Sequence, residues 1–137
     1  AAVYKSHWVA GLWDDSVKTL NIAILELYPI LLAIHLWGAY MSNKSLLFHC
    51  DNMAVVFIIN KFTSKDPTVM TLLRKLVLEC LKHNIYIKAV HVPGVNNITA
   101  DLLSRNQVQQ AREHNPRLRQ HQQAIPQHWL LHRLLTD

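Results

Sequence analysis

The chain has 137 residues, half of them hydrophobic and 17% charged, with a formal charge of +5. A chain this apolar excludes general disorder and is long enough for one domain with a real core. Three glycines and no GxGxxG or GxxxxGKS/T string exclude the common phosphate-cradling loops, and two cysteines with no CxxC pair leave no disulfide scaffold and no structural-zinc signature.

The opening Ala1-Ala2-Val3-Tyr4-Lys5 carries neither an initiator Met nor a basic-then-apolar leader, and reads as the interior of a longer polypeptide. Ala1 to Trp13 alternates loosely and is rich in Val, Tyr and Trp, which predicts a strand, a turn near Lys5-Ser6 and a second strand ending near Trp13. Asp14-Asp15-Ser16 is a polar break. Asn21 is placed to cap a helix running towards Met41, which Pro29 either kinks or delays because it cannot donate to the Leu25 carbonyl. The stretch Leu20 to Met41 has the length of a bilayer span. Glu26 within it, the interruption at Pro29 and the lack of a flanking Lys/Arg cluster favour a buried helix of a soluble domain instead.

Ser42-Asn43-Lys44 is a turn. The run Ser45 to Cys50 ends at Asp51, and its continuous hydrophobicity predicts a central strand covered on both faces, with His49 and Cys50 in the core. Met53 to Phe62 is helical and Thr63 to Pro67 connects. Thr68 to His83 places Val69, Leu72, Leu73, Leu76, Val77 and Leu81 at helical spacing. Ile85 to Val92 is another strand, Pro93-Gly94 turns the chain, and Asn96 or Asn97 can cap a helix through Asp101 to Arg105. The order β-β-α-β-α-α-β-α contains a crossover long enough to join parallel strands, so the fold class is α/β, a mixed sheet flanked by helices. Trp8, Trp13 and Trp37 are expected to pack.

Composition changes after Arg105: all seven glutamines fall between Gln107 and Gln127, and from Arg105 onward five arginines stand against two acids. Residues 1–105 form the domain, and 106–137 read as an exposed basic arm or linker with a short helix at Trp129 to Leu135.

Three carboxylates occupy informative places: Glu26 in an apolar helix, Asp51 at the end of an apolar strand, Asp101 in the helix after the next strand. Taken singly, each has an ordinary reading, as a solvated side chain, a helix cap and a wet helix face. Burying unpaired carboxylates is costly, however, and a divalent cation removes that cost for several at once. Oxygen-only ligands suit Mg²⁺ or Mn²⁺ rather than zinc, and ligands of parallel α/β sheets bind at the carboxyl ends of strands, where Asp51 sits. Cys80 and His83, at helical spacing, are too few for a metal site.

Four strings carry a family resemblance: Glu26-Leu27-Tyr28-Pro29-Ile30, Phe48-His49-Cys50-Asp51-Asn52, Asn60 to Lys65, and His91-Val92-Pro93-Gly94-Val95-Asn96-Asn97-Ile98-Thr99-Ala100-Asp101-Leu102-Leu103-Ser104-Arg105. Together they resemble the ribonuclease H domain that follows reverse transcriptase in retrotransposons, especially the DIRS-type, tyrosine-recombinase-bearing elements. The resemblance covers roughly Ala1 to Arg105. It implies a type 1 ribonuclease H fold, an endonuclease that cuts the RNA strand of RNA–DNA hybrids, two Mg²⁺ (or Mn²⁺) ions held by carboxylates, and the reverse transcriptase domain of the same polyprotein as partner. Separately, the low cysteine count makes a reducing, intracellular setting the default expectation, and no membrane partner is expected. Glu26, Asp51 and Asp101 match the family's metal ligands, His91 its loop histidine, and Asn97 the asparagine of that loop. Asn52 and Asn97 are candidates for contacts to the RNA 2′-OH, although asparagines after strands more often serve turns or caps. The family's first aspartate lies on a strand preceding the two at the start of this chain, and no residue here matches it. That strand lies in the family's sheet between the Ala1-to-Lys5 and Ser45-to-Cys50 strands, so the isolated chain is expected to lack the sheet's first strand and one metal ligand, and the alternative is a catalytically dead, decayed or host-adopted module that binds nucleic acid or braces a polymerase domain.

Overall fold

The computed structural model describes residues 2–4, 7–9, 22–93, 99, 102–103, 105, 107–119 and 123–136. Among them the chain runs β1 (Ala2–Tyr4), β2 (His7–Val9), α1 (Ile22–Trp37), a 3-10 turn (Gly38–Met41), β3 (Ser45–Cys50), α2 (Met53–Lys61), α3 (Pro67–His83), β4 (Tyr86–His91), α4 (Val108–His114), a second 3-10 turn (Gln127–Trp129) and α5 (Leu131–Thr136). The architecture is mixed α/β. The expected strand end at Trp13, the break at Asp14-Asp15-Ser16 and the caps at Asn21, Asn96 and Asn97 lie outside the described residues; Thr99, Leu102 and Leu103 are helical.

The core is built around α1. Ala23, Ile24, the run from Leu27 to Ile34, and Trp37 are all buried, because a helix apolar on every side is stable only when surrounded. Pro29 sits inside the helix without ending it. The stretch Ile22–Met41 is long and apolar enough to cross a membrane, and 67% of its most apolar window is buried within the protein. α3 packs along α1, and β1 lies against it, with Tyr4 stacked on Trp37 at 6.0 Å between ring centroids.

The strands form two small sheets, as a mixed sheet short of the strand between β1 and β3 would. β1 and β2 pair antiparallel with each other, and β3 and β4 pair parallel with each other, as two separate ladders. β1 is held by its neighbour β2 and by α1 rather than by β3. The expectation that β3 is covered on both faces is corrected. Ser45, Leu47 and His49 are exposed, Leu46 and Phe48 are half-buried, and only Cys50 is fully buried. Helices cover one face of this ladder, so alternate side chains meet solvent. His49, read from the sequence as core, is on the open face.

Local chemistry sets each helix boundary. The Asn52 carboxamide oxygen caps α2 by accepting from the Val55 N–H at 3.2 Å, and Phe62 ends the helix in the left-handed region at φ 52°. The Asp66 carboxylate caps α3, accepting from Thr68 and Val69 at 2.8 and 3.3 Å, with Pro67 at the first helical position, where no N–H is needed. Asn84 (φ 52°) closes α3, its N–H shared between the Cys80 and Leu81 carbonyls. Asn43 takes the same left-handed conformation (φ 62°) before β3, and the Asn84 amide donates to the Asn43 side-chain oxygen at 2.9 Å. Two further bonds, Asn43 N–H to the His83 carbonyl and Tyr86 N–H to the Lys44 carbonyl, join these turns. Their union fixes the register at its start, Ser45 opposite Tyr86, and therefore at its end, Cys50 opposite His91.

The C-terminal segment does not stay an exposed arm. Ala111 and Leu118 are buried with Trp8 and Leu103 in a small second cluster, and Leu131 and Leu134 are buried in the main core.

Candidate functional site

The register brings the predicted residues of β3 and β4 to one end of the ladder. Cys50 is the last residue of β3 and lies opposite His91, the last of β4; the Val92 N–H then donates to the Cys50 carbonyl at 2.9 Å. Asp51 follows immediately and is exposed, as is His91. These are the carboxyl ends of two parallel strands, where backbone ladders finish and side chains are free to face a ligand.

Glu26 reaches this end from α1. It is half-buried, and its carboxyl is held above its ordinary value of 4.5 by burial first and by the charge of Asp51 second. Cys50 registers the same neighbourhood. Burial raises its thiol pKa, a hydrogen bond at Asn52 offsets part of that, and the charges of Glu26 and Asp51 raise it further. Two carboxylates 25 positions apart in sequence thus share one electrostatic environment beside a buried thiol. Among the described residues neither carboxylate has a cationic or hydrogen-bonding side-chain partner.

Such a like-charge pair fits a hard divalent cation. Each carboxylate offers oxygen donors, and a cation held by them would offset the repulsion that disfavours ionised Glu26. Among the described residues no group of three or more His, Cys, Asp or Glu gathers. Asp101 and Asn97, the remaining predicted members, lie outside the described residues. Asn52 is half-buried and engages its side-chain oxygen in the α2 cap, which is the ordinary role expected of an asparagine after a strand and leaves only its amide N–H groups to offer a ligand.

The structure also holds a polar cluster that sequence reasoning missed. Glu79 is the buried charged residue of the described core, 3% exposed. Its carboxylate meets His35 Nδ1 at 3.4 Å and Lys82 Nζ at 3.0 Å. The Glu79–Lys82 spacing is a helical ion pair readable in advance, but His35 is 44 positions away and no local pattern announces it. Trp129, from the segment read as an exposed arm, stacks on His35 with ring centroids 3.6 Å apart and 16° between planes. A separate open groove, lined by Phe62, Met70, Leu73, Arg74, Val77 and Leu78, contains none of the predicted site residues.

No family model matches the chain, and neither the curated proteins nor the solved structures searched contain a match.

Proposed function

We propose that the chain is a ribonuclease H-like domain of a retroelement polyprotein, hydrolysing the RNA strand of RNA–DNA hybrids with Mg²⁺ or Mn²⁺. The observation that supports this reading best is the shared electrostatic environment of Glu26 and Asp51 at the carboxyl ends of parallel strands. The sequence block from His91 to Asp101 supports it independently, through the family resemblance.

In this reading Glu26, Asp51 and Asp101 hold the divalent ions. Ions held by these residues would supply a water of lowered pKa and charge neutralisation at the leaving oxygen. The protein's own part is positional. α1 presents Glu26 from a half-buried site, so its carboxylate is weakly solvated and gains from a nearby cation. β3 presents Asp51 at an exposed end, open to a polyanionic substrate. His91 stands beside them on β4, exposed, where it can exchange a proton with solvent or with a product. The basic balance of the chain favours a polyanion. The setting is intracellular and the polymerase domain of the same polyprotein is the partner.

The experiment is cleavage of an end-labelled RNA–DNA hybrid in Mg²⁺ and in Mn²⁺, by this chain and by the chain extended through its preceding residues, each with and without Asp51→Asn. Cleavage of the RNA strand that Asp51→Asn abolishes supports the reading. Hybrid binding without cleavage by the extended chain transfers support to the non-catalytic binding module. Neither cleavage nor hybrid binding ends both.

A further inference from the structure

We propose that the groove between the end of α2 and the outer side of α3 is a docking site for an acidic amphipathic helix supplied from outside this chain. The groove has a volume of about 310 Å³; Phe62, Met70, Leu73, Val77 and Leu78 form its apolar walls, and Arg74 stands among them. α3 carries two apolar stripes, and only one lies in the core. Val69, Leu72, Leu73 and Leu76 are buried, whereas Leu78 is 58% and Leu81 71% exposed. Met70, Arg74, Val77, Leu78 and Leu81 follow one another at helical spacing. This outward stripe runs about 16 Å along α3, the length of about three turns of a partner helix.

The wall at Phe62 is set by the backbone. Phe62 ends α2 in the left-handed region at φ 52°, a conformation that Asn43 and Asn84 take elsewhere in the chain and that disfavours a bulky side chain. Phe62 is nonetheless exposed, so burial within this chain does not account for a phenylalanine there. The Ser64 N–H donates to Met70 Sδ at 3.3 Å and ties the connector after Phe62 to α3.

Charge selects the occupant. Arg74 is exposed and makes no ion pair among the described residues. Lys61 and Lys65 bracket Phe62 in the chain and Lys75 follows Arg74; these three lack ionic partners there as well. The two acids of α2, α3 and their connector are engaged elsewhere: Asp66 caps α3, and Glu79 meets His35 and Lys82. An apolar trough with uncompensated cations is complementary to a helix that carries leucine-like residues on one face and carboxylates beside them. Arg74 suits such a carboxylate, since a guanidinium pairs with it through two parallel hydrogen bonds. A second copy of this chain is a poor match, because each described helix holds at most one acid. The groove contains none of the proposed metal ligands, so this inference stands apart from the nuclease reading.

The test is fluorescence anisotropy with the full chain and a labelled helical peptide of about four turns, with leucines on one face and glutamates along its borders. A matched peptide carries lysines in place of the glutamates. Saturable binding of the glutamate peptide, about tenfold tighter than the lysine peptide, supports the site. Arg74→Glu should weaken the glutamate peptide about tenfold and strengthen the lysine peptide. Phe62→Gly suits the left-handed backbone, so it should melt cooperatively while binding several-fold more weakly. No saturable binding to the wild type, equal binding of the two peptides, or unchanged binding in Arg74→Glu overturns the proposal. So does sedimentation of the wild type as a dimer that Leu78→Ser abolishes, which makes the face a self-contact. Co-sedimentation with phosphatidylserine vesicles, lost in Arg74→Glu and without binding of the glutamate peptide, overturns it in favour of a lipid surface. If Phe62→Gly does not fold, Arg74→Glu, on an exposed position, decides alone.

Discussion

The side-chain amide of Asn60 pairs with the backbone of Ala89 as a neighbouring strand would. Its Nδ2 donates to the Ala89 carbonyl and its Oδ1 accepts from the Ala89 N–H, both at 2.9 Å. Asn60 lies in the last turn of α2 and Ala89, 2% exposed, lies in β4. One side chain thereby closes the outer edge of β4 and ties α2 to the ladder that ends at Cys50 and His91. Asn60→Ala leaves a buried N–H and a buried carbonyl without partners, which costs about 2 kcal/mol. Urea denaturation measures this as a lower midpoint with an unchanged slope.

Glu26 makes a pH-dependent contribution of known sign. Its folded pKa lies above its ordinary value of 4.5, by burial first and Asp51 second. The protonated form is therefore favoured by folding. The stability it confers is fully present below 4.5 and is lost as pH rises through the folded value. At neutral pH Glu26→Gln is expected to stabilise the metal-free chain by about 1 kcal/mol, and below 4.5 the two chains should melt together. Thermal melts across acid and neutral pH check both halves.

A divalent cation bound at the Glu26–Asp51 end would leave a mark on Cys50. The two carboxylates contribute to raising the Cys50 thiol pKa, so neutralising them releases part of that shift. Mn²⁺ should speed alkylation of Cys50 and leave Cys80 unaffected, because Cys80 is raised to about 11 by burial and by Glu79 instead. Asp51→Asn should abolish the Mn²⁺ response. Equal acceleration of both thiols would point to general loosening of the fold and against an ion at this site.

The Tyr28 phenol is pushed up to about 12 by burial, offset in part by a backbone hydrogen bond at Leu131. Ultraviolet titration of the four tyrosines should therefore show one ionising late. Tyr28→Phe should remove that late step.

Core and open faces should differ sharply under the same substitution. Leu31 is fully buried on α1 and Leu47 is 53% exposed on β3. Leu31→Ala is expected to cost about 3 kcal/mol. Leu47→Ala should change stability by roughly 0.5 kcal/mol or less. Denaturant titration of the two variants distinguishes a one-sided ladder from a strand buried on both faces.

Much of the element order was legible because it rests on local chemistry. The spacing from Val69 to Leu76 marks α3, and the apolar stretch around Leu31 marks α1. The covering of β3 was not legible. SLLFHC reads the same whether one face or two are packed, and only the placement of α2 shows that Leu47 and His49 face solvent. The tail was misread for a related reason. A Gln- and Arg-rich segment has the composition of a solvated arm, yet Trp129, Leu131 and Leu134 suffice to anchor it once α1 and α3 present a surface.

The amino-acid order alone determined most helices and strands between Ala1 and His91, and that Glu26 sits where apolar neighbours make charge expensive; propensity, caps and periodicity act over a few residues and need no distant partner. Only the tertiary structure decided that Glu26 and Asp51 share one electrostatic neighbourhood, that His35 meets Glu79 under Trp129, and that Asn60 closes the edge of β4. Those relationships depend on register and on helix packing, which are set by the joint burial of side chains far apart in the chain and leave no periodic trace along it.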